Sequence, residues 1–279
     1  MCEDSISTRD FVRLSRFIYA EAGIHLGAEK KTMLEGRIKR RLKALHLNSY
    51  SEYCHYLFEG DGEKAEITPL IDVVTTNKTD FFREPRHFEI LSTEVLPQWF
   101  ARSERSAPMF IWSAGCSTGE EPYTLAMVLS EFARAQPGFR FRVMATDISA
   151  TVLEKAGMGV YPEEVANAVP LSLRRKYFLR SRDPHNRQVR LAPELRRMVD
   201  FRRLNLMDAD YGLDRKADVI FCRNVMIYFD RRTQQQILEK FSDCLAPGGY
   251  LFVGHAETLH DLTLPFAPVA PSLYRRVNA

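Results

Sequence analysis

The run WSAGCSTGEEPY, residues 112–123, has residue types and spacing that suit a ligand site. Gly115 and Gly119 lie between an apolar run and a helical pattern, where a backbone can turn tightly and approach a ligand. A dinucleotide site would need three glycines spaced GxGxxG and would place a phosphate at the helix start. Here Glu120 and Glu121 would repel a phosphate and attract a cation. The pattern favours a phosphate-free, positively charged nucleoside such as S-adenosylmethionine, although one of the two acids could simply complement the helix dipole.

Asp147 ends a second apolar run, within ATDIS at 145–149. An acidic residue at the end of the second strand is placed to accept hydrogen bonds from both ribose hydroxyls of a nucleoside. Its alternative role is to cap the helix that starts near Ala150, which Ser149 could do equally well. With a glycine loop upstream, ribose binding is the favoured interpretation.

Arg223 and Asn224 directly follow the fourth predicted strand, at 218–222, where that strand would open into the same crevice. Amino-group methyltransferases often carry Asn or Asp followed by Pro-Pro and an aromatic residue at this place. This chain reads RNVMIYF without proline, which argues against a base or amide nitrogen as the methyl acceptor.

Short apolar runs alternate with helical patterns from about residue 108 onward. This alternation predicts a mostly parallel sheet covered by helices on both faces, a doubly wound α/β fold of Rossmann-like type. The pattern breaks between about 170 and 198, where two apolar runs flank the turn signal at 183–186, so a small antiparallel β subdomain is expected. The predicted strands are 109–114, 141–146, 199–204, 218–222 and 250–253.

The first 58 residues carry apolar side chains at helical spacing and predict several short helices, forming an all-α region before the α/β domain. The second helix is crowded with basic residues between Lys30 and Lys43, so its exposed face must be strongly positive. That face is either a solvated surface or a docking surface for an acidic partner. No aromatic residues interleave with the basic ones to stack on bases, so a protein is favoured over nucleic acid.

Composition sets broad limits on the class of protein. Hydrophobic residues make up 45% and charged residues 27% of the 279 residues, with a net charge of only +3, as in ordinary globular proteins. No basic leader or bilayer-length apolar run occurs, so a cytoplasmic chain without membrane insertion is expected. Five scattered cysteines predict neither a disulfide framework nor a zinc site. They are Cys2, Cys54, Cys116, Cys222 and Cys244.

Several runs together resemble the chemotaxis-receptor methyltransferase family, CheR, over essentially the whole chain. They are TNKTDFFR (76–83), GCSTGEEPY (115–123), ATD (145–147), NL (205–206), CRNVMIYF (222–229) and GHAE (254–257). The resemblance implies an N-terminal helical domain at 1–75 and a linker at 76–92 that contributes to the cofactor site. A methyltransferase domain at 93–279 would follow, with the β subdomain inserted at about 170–198.

The resemblance also implies roles for particular residues. The linker would fold over S-adenosylmethionine, S-adenosylhomocysteine would be the product, and no metal is expected. Together with Gly115 of the glycine loop, the implied cofactor contacts are Asn77, Thr79, Arg83, Glu120, Asp147, Asn205, Leu206, Arg223 and Asn224.

The partners implied are the acidic methylation helices of chemoreceptors, on the cytoplasmic side, held by Arg37, Arg40 and Arg41 of the basic helix. Tethering of the β subdomain to a receptor C-terminal pentapeptide is left open, because the turn at 181–187 lacks the glycines that tethered members usually carry. Ala256 stands where relatives commonly have serine, so a hydroxyl contact is absent there.

A glutamate acceptor is already ionised near neutral pH, so no general base is needed. We expect Arg83 and Tyr228 to be the catalytic pair, one pairing with the acceptor carboxylate and the other orienting it through a hydroxyl. Tyr228 could instead be an ordinary core residue. A non-catalytic regulatory adaptor that binds S-adenosylmethionine in the same pocket is the alternative function.

Overall fold

The computed structural model describes residues 5–60, 62–102, 107–183, 185–260 and 262–277. Cys2 lies outside these ranges, and so does Pro184, which belongs to the predicted turn. The N-terminal part forms four helices around a core of its own, in which Leu14, Ile18, Leu34 and Tyr53 are fully buried. These helices are α1 (Thr8–Ala22), α2 (Lys31–Leu45), α3 (Tyr50–Phe58) and α4 (Glu63–Val74).

Local signals set the ends and faces of these helices. The Ser7 hydroxyl accepts a hydrogen bond from the amide of Asp10 and starts α1, and Gly23, with φ of 70°, ends it. Leu34, Ile38 and Leu42 are the buried residues of α2, one helical turn apart. The basic residues of α2 therefore occupy the rest of its surface.

The second part alternates strands and helices. A continuous helical stretch comes first, made of α5 (Arg86–Ile90), a π-helical turn (Leu91–Val95) and α6 (Leu96–Ala101). Then follow β1 (Met109–Ala114), α7 (Glu120–Ala135), β2 (Phe141–Asp147), α8 (Ala150–Met158), β3 (Val160–Pro162), α9 (Leu171–Tyr177), β4 (Phe178–Arg180), β5 (Gln188–Leu191), α10 (Pro193–Arg196), β6 (Val199–Arg203), β7 (Ala217–Cys222), α11 (Arg231–Cys244), β8 (Leu245–Val253), β9 (Phe266–Ala270) and β10 (Leu273–Arg276).

Seven strands form one sheet in the order β6-β2-β1-β7-β8-β10-β9. The pairings from β6 through β8 are parallel, and β10 pairs antiparallel with β8 and β9. The predicted fold class is confirmed, and the last two strands are an antiparallel addition that the sequence pattern missed. Strand β1 lies between β2 on one side and β7 on the other, so the strand order reverses at β1. At such a reversal a crevice opens at the carboxyl ends of the central strands.

Both faces of this sheet are covered. Ile111 of β1 and Phe221 of β7 pack in one apolar cluster with α7 and the α5–α6 stretch. Trp112 and Ile220, their chain neighbours, pack in a second cluster with α11. Alternation of the strand side chains between two buried layers explains why these strands read as continuous apolar runs.

A second, three-stranded antiparallel sheet has the order β3-β5-β4. Its strands β4 and β5 match the two apolar runs that the sequence placed around the turn. Its remaining strand, β3, precedes the predicted start of the subdomain at about 170 and was not foreseen. Among the described helices, none combines the length and the apolar character needed to cross a membrane.

Candidate active site

A cavity of about 930 Å³, counted with the open space at its mouth, lies at the carboxyl ends of β1, β2 and β7. Its place at the strand ends is where open α/β sheets bind their ligands. The predicted site residues that line it are Asn77, Thr79, Arg83, Gly115, Asp147, Asn205, Leu206, Arg223, Asn224 and Tyr228.

The glycine loop brings its backbone against the cavity at Gly115. This residue has φ of 81°, and a Cβ there would lie 2.5 Å from Cγ2 of Val225. Both facts exclude a side chain without rearrangement of the loop. The Gly115 amide donates to the carbonyl of Thr146, which joins the loop to the end of β2.

Asp147 is held at the cavity wall by two backbone amides. Its Oδ2 accepts from the amide of Ser117 at 2.8 Å, and its Oδ1 accepts from Ser149 at 3.0 Å. The hydroxyl of Ser149 caps α8, so the helix cap does not need Asp147. Each carboxylate oxygen retains acceptor capacity for a ribose hydroxyl. Burial raises the pKa of Asp147, although the two amides oppose that shift.

The two adjacent glutamates at the start of α7 differ in position. Glu121 lines the cavity, whereas Glu120 does not and accepts a hydrogen bond from the Thr118 hydroxyl at 2.7 Å. The pKa of each carboxyl is raised by burial, and the Arg223 guanidinium partly offsets this for Glu121. The cofactor contact of Glu120 therefore stays a prediction, and Glu121 is the one of the two acids that lines the cavity.

Arg223 is buried between two carboxylates. Its Nη2 lies 3.1 Å from Oε2 of Glu84, and its Nη1 lies 3.2 Å from Oε2 of Glu121. The guanidinium also donates to the carbonyl of Arg83. Burial alone would raise the pKa of Glu84, but Arg223 and the neighbouring donors hold it below its ordinary value. Arg223 thus fixes the linker to the end of β7 through long-range contacts.

Asn224 offers an unpartnered acceptor. Its backbone has φ of 59°, its amide N–H donates to Glu257 at 2.9 Å, and its side-chain Oδ1 is buried without a hydrogen-bond partner. Asn224 lines the cavity, and within the described residues no donor satisfies this buried oxygen, which is unusual for a buried polar atom. A phosphate would find no use for such an acceptor.

The linker closes over the cavity from one side. The Ser117 hydroxyl donates to the carbonyl of Asn77 at 2.8 Å, which ties the linker to the glycine loop. Arg83 is half-buried at the wall, and its Nη1 donates to the carbonyl of Lys78 at 2.9 Å. Its neighbours Phe82 and Glu84 both have positive φ, a strained geometry that tertiary contacts must maintain.

The N-terminal helices complete the wall. The Asn205 side chain donates to the carbonyl of Glu21 at 2.6 Å, and the amide of His25 donates to the carbonyl of Tyr228 at 2.9 Å. Ala22, the last residue of α1, and Ile24, two residues further along, also line the cavity. The all-α part is therefore a structural component of the site.

The three arginines predicted to hold the substrate have different environments. Arg37 donates to the carbonyl of Val74 and, at 2.6 Å, to the Thr76 hydroxyl, both in segments that line the cavity. Arg41 makes a two-point ion pair with the buried Glu66. Arg40 is exposed. Intramolecular roles for Arg37 and Arg41 were not foreseen, and substrate binding by these three residues stays a prediction.

Sequence reasoning missed the roles of Glu84 and Glu257, and it missed the contact of Glu121 with Arg223. Glu84 and Glu121 hold Arg223, and Glu257 accepts from the amides of Gly254, Asn224 and Ile227. Glu257 ends the GHAE run and Glu84 directly follows TNKTDFFR, so the family motifs contained a signal for both. Their partners lie far away in sequence, so spacing could not show the contacts.

Comparison with known proteins agrees with this arrangement. The family described as "CheR methyltransferase, SAM binding domain" matches residues 77–273, and "CheR methyltransferase, all-alpha domain" matches residues 9–75. The chain belongs to the CheR methyltransferase family. S-adenosylmethionine is therefore the cofactor of the cavity, as predicted. Glu121, Asp147 and Asn224 line this cavity, and their contacts with particular groups of the cofactor stay predictions.

Relatives within the CheR family are similar over nearly their whole length. The chain is 42% identical to the chemotaxis protein methyltransferase of Escherichia coli (strain K12), covering 97% of this chain and 91% of the relative. It is 38% identical to the chemotaxis protein methyltransferase of Borreliella burgdorferi, covering 91% and 90%. The chemotaxis protein methyltransferase 2 of Pseudomonas aeruginosa is 40% identical, covering 89% and 86%.

Replacing Glu121 with glutamine is expected to weaken S-adenosylmethionine binding by about tenfold, because one charged partner of the cation is lost. Glu120→Gln is the matched control, since it makes the same change one residue away from the cavity wall. Calorimetric titration of both variants measures the difference. A larger loss in Glu120→Gln would show that the cofactor contacts the other glutamate.

Cofactor affinity should also depend on pH. The pKa values of Glu121 and Asp147 lie above their ordinary 4.5 and 3.8 because both groups are buried. Protonation removes negative charge, so affinity for the cationic S-adenosylmethionine is full above the raised pKa values and falls as pH drops through them. The product S-adenosylhomocysteine lacks the sulfonium charge and should lose less. Titrating both ligands from neutral pH downward tests this, and equal losses would contradict it.

Proposed function

We propose that the chain transfers a methyl group from S-adenosylmethionine to glutamate side-chain carboxylates of chemoreceptors, forming the methyl esters used in sensory adaptation. The observation that carries this proposal is that Arg83 and Tyr228 line the same cavity as Glu121 and Asp147. A guanidinium and a phenol suit a carboxylate acceptor, whereas the two acids suit the cationic cofactor. The relatives named chemotaxis protein methyltransferase support the assignment to chemoreceptors.

The chain's residues mainly align two reactants. The cofactor supplies a methyl group on a positive sulfonium when bound. Arg83 pairs with the acceptor carboxylate and the Tyr228 hydroxyl orients it, so that one carboxylate oxygen faces the methyl group. Because opposite charges neutralise during transfer, the linker and α1 assist by excluding water, which would stabilise the separated charges. The acceptor glutamate is ionised near neutral pH, so no residue has to remove a proton.

The exposed basic face of α2 would hold the acidic methylation helix of a receptor. Arg40, with the exposed Lys39 and Lys43, supplies this charge, while Arg37 and Arg41 keep their internal contacts. Acceptors on the cytoplasmic part of receptors require the chain to act in the cytoplasm. A receptor C-terminal pentapeptide bound by the β subdomain would be a second contact of the same partner.

Charge reversal at Arg40 should separate docking from cofactor binding. Arg40→Glu is expected to raise the KM for receptor about tenfold and to leave the affinity for S-adenosylhomocysteine unchanged, because the residue is exposed and outside the cavity wall. Arg9→Glu makes the same charge change on α1 and serves as the control. Steady-state rates at varied receptor concentration provide the measurement. An unchanged KM in Arg40→Glu would show that α2 is not part of the docking surface.

Catalysis is distinguished from a purely regulatory role by following the methyl group. Purified chain is incubated with methyl-labelled cofactor and receptor-enriched membranes. The proposal expects label in receptor bands that mild base releases as methanol, since esters are base-labile, and that RNase leaves untouched. Cofactor binding without any transfer would favour the adaptor instead.

A further inference from the structure

Three side chains meet between the start of α5 and the loop after β8: Glu84, His87 and His255. Their candidate ligand atoms all lie within 4.8 Å of one another. Glu84 and His255 are 171 residues apart in sequence and are joined by a hydrogen bond from the His255 amide to Oε1 of Glu84, at 3.3 Å. The cluster is formed by the fold, and the sequence interpretation, which looked for metal ligands only around the cysteines, predicted no metal.

His87 is the unexplained member of this cluster. Its side chain is 1% exposed, and among the residues that the structure describes neither Nδ1 nor Nε2 has a hydrogen-bond partner. Its Nδ1 lies 3.4 Å from Oε2 of Glu84, and its ring centroid lies 5.0 Å from that of His255. Buried polar groups normally have partners, so an imidazole with two unpaired nitrogens indicates a missing ligand atom or water.

Two imidazoles and one carboxylate form a donor set that zinc prefers. Tetrahedral zinc needs its ligand atoms about 3.4 Å apart, given bonds of about 2.0–2.2 Å. The Glu84 and His87 atoms already have this separation. His255 is exposed and follows Gly254, so its side chain can move until its ring nitrogen reaches the same separation from the other two ligand atoms. Water would supply the fourth ligand.

We propose that Glu84, His87 and His255 bind one Zn²⁺ ion and that this ion antagonises the cofactor. The link between the two sites is Glu84. Its Oε2 is shared with Nη2 of Arg223 at 3.1 Å, and Arg223 lines the cofactor cavity. A zinc ion on this oxygen repels the guanidinium and weakens its hold. Zinc thereby displaces a residue of the cavity wall and lowers the affinity for the cofactor. Because the two binding equilibria are linked, bound cofactor must lower the affinity for zinc by the same factor.

Zinc binding is measured on the full, untagged chain by competition with a chromophoric chelator near neutral pH. The wild type should bind one equivalent, and His255→Ala should lose at least about tenfold in affinity, because losing even an outer partner of a metal ligand costs about 10–100-fold. His260→Ala, also exposed and five residues further along, is the matched control and should bind like the wild type. His87→Asn is a second variant, compared after circular dichroism shows a folded chain. Excess Mg²⁺, which prefers oxygen ligands, should not compete.

The antagonism is tested separately by titrating S-adenosylhomocysteine with and without saturating Zn²⁺. Zinc should weaken this affinity in the wild type and in His260→Ala but not in His255→Ala. Failure of the wild type to bind zinc, or equal zinc affinity in His255→Ala, would overturn the site and leave an ordered water as the partner of His87. Zinc binding without any change in cofactor affinity would overturn the antagonism.

Discussion

Arg83→Ala is expected to lower kcat/KM for receptor methylation by about 100-fold while the chain stays folded. Arg83 is half-buried at the cavity wall and held there by the carbonyl of Lys78. In the proposed reaction its charge fixes the acceptor carboxylate, so the loss should appear mainly in turnover. A smaller loss of S-adenosylhomocysteine affinity is expected as well, since the linker also covers the cofactor.

The control for this variant is Arg86→Ala. Arg86 lies three residues along on the same segment and makes an exposed ion pair with Glu89, of a kind that contributes little. Initial rates at saturating cofactor, together with calorimetry, separate turnover from binding. Wild-type turnover in Arg83→Ala would show that Arg83 takes no part in the reaction. An equal loss of turnover in Arg86→Ala would show that the effect comes from the lost positive charge on this segment rather than from a contact of Arg83.

Asp147→Ala is expected to weaken S-adenosylhomocysteine binding by about 100-fold, because each lost hydrogen bond to a charged group contributes about 1.5–3 kcal/mol. The change also removes the acceptor for the Ser117 amide, so part of the loss could come from the glycine loop. A double-mutant cycle with the 2′-deoxy analogue of the ligand separates the two causes.

In that cycle the wild type should bind the deoxy analogue more weakly than the parent ligand. Asp147→Ala should bind the two equally, since the carboxylate that receives the hydroxyl is gone. Calorimetry gives all four affinities. If the deoxy change costs the variant as much as the wild type, Asp147 does not bind the ribose and acts only on the loop.

The sequence was most informative where a local signal decides the structure. Gly115 follows β1 and has the positive φ that glycine adopts easily. Ser149 precedes α8 and caps it through its side chain, a role for which serine is well suited. The strand runs became β1, β2, β7 and part of β8 because residues buried on both faces must be apolar. Strand β6 lies at the edge of the sheet and instead alternates Val199 and Phe201 with exposed residues. The same patterns predicted Asp147 and Arg223 at the crevice, and both residues line the cavity.

Long-range contacts decided what the sequence left open. Glu120 and Glu121 are equivalent in sequence, and only the rotation of α7 relative to the sheet determines which one meets the cavity. Arg41 belongs to a charged helix surface in sequence, yet it faces the buried Glu66. Strand β3 has only three residues, too few for a period-2 pattern to register.

The most direct test of the account is to locate the transferred methyl group by mass spectrometry. Receptor treated with the chain and S-adenosylmethionine is digested and its peptides are fragmented. The account predicts one added methyl group on glutamate side chains of acidic helices, and far less of it after the same reaction time with Arg83→Ala. A methyl group on lysine or on an amide nitrogen, or on nucleic acid alone, would contradict it.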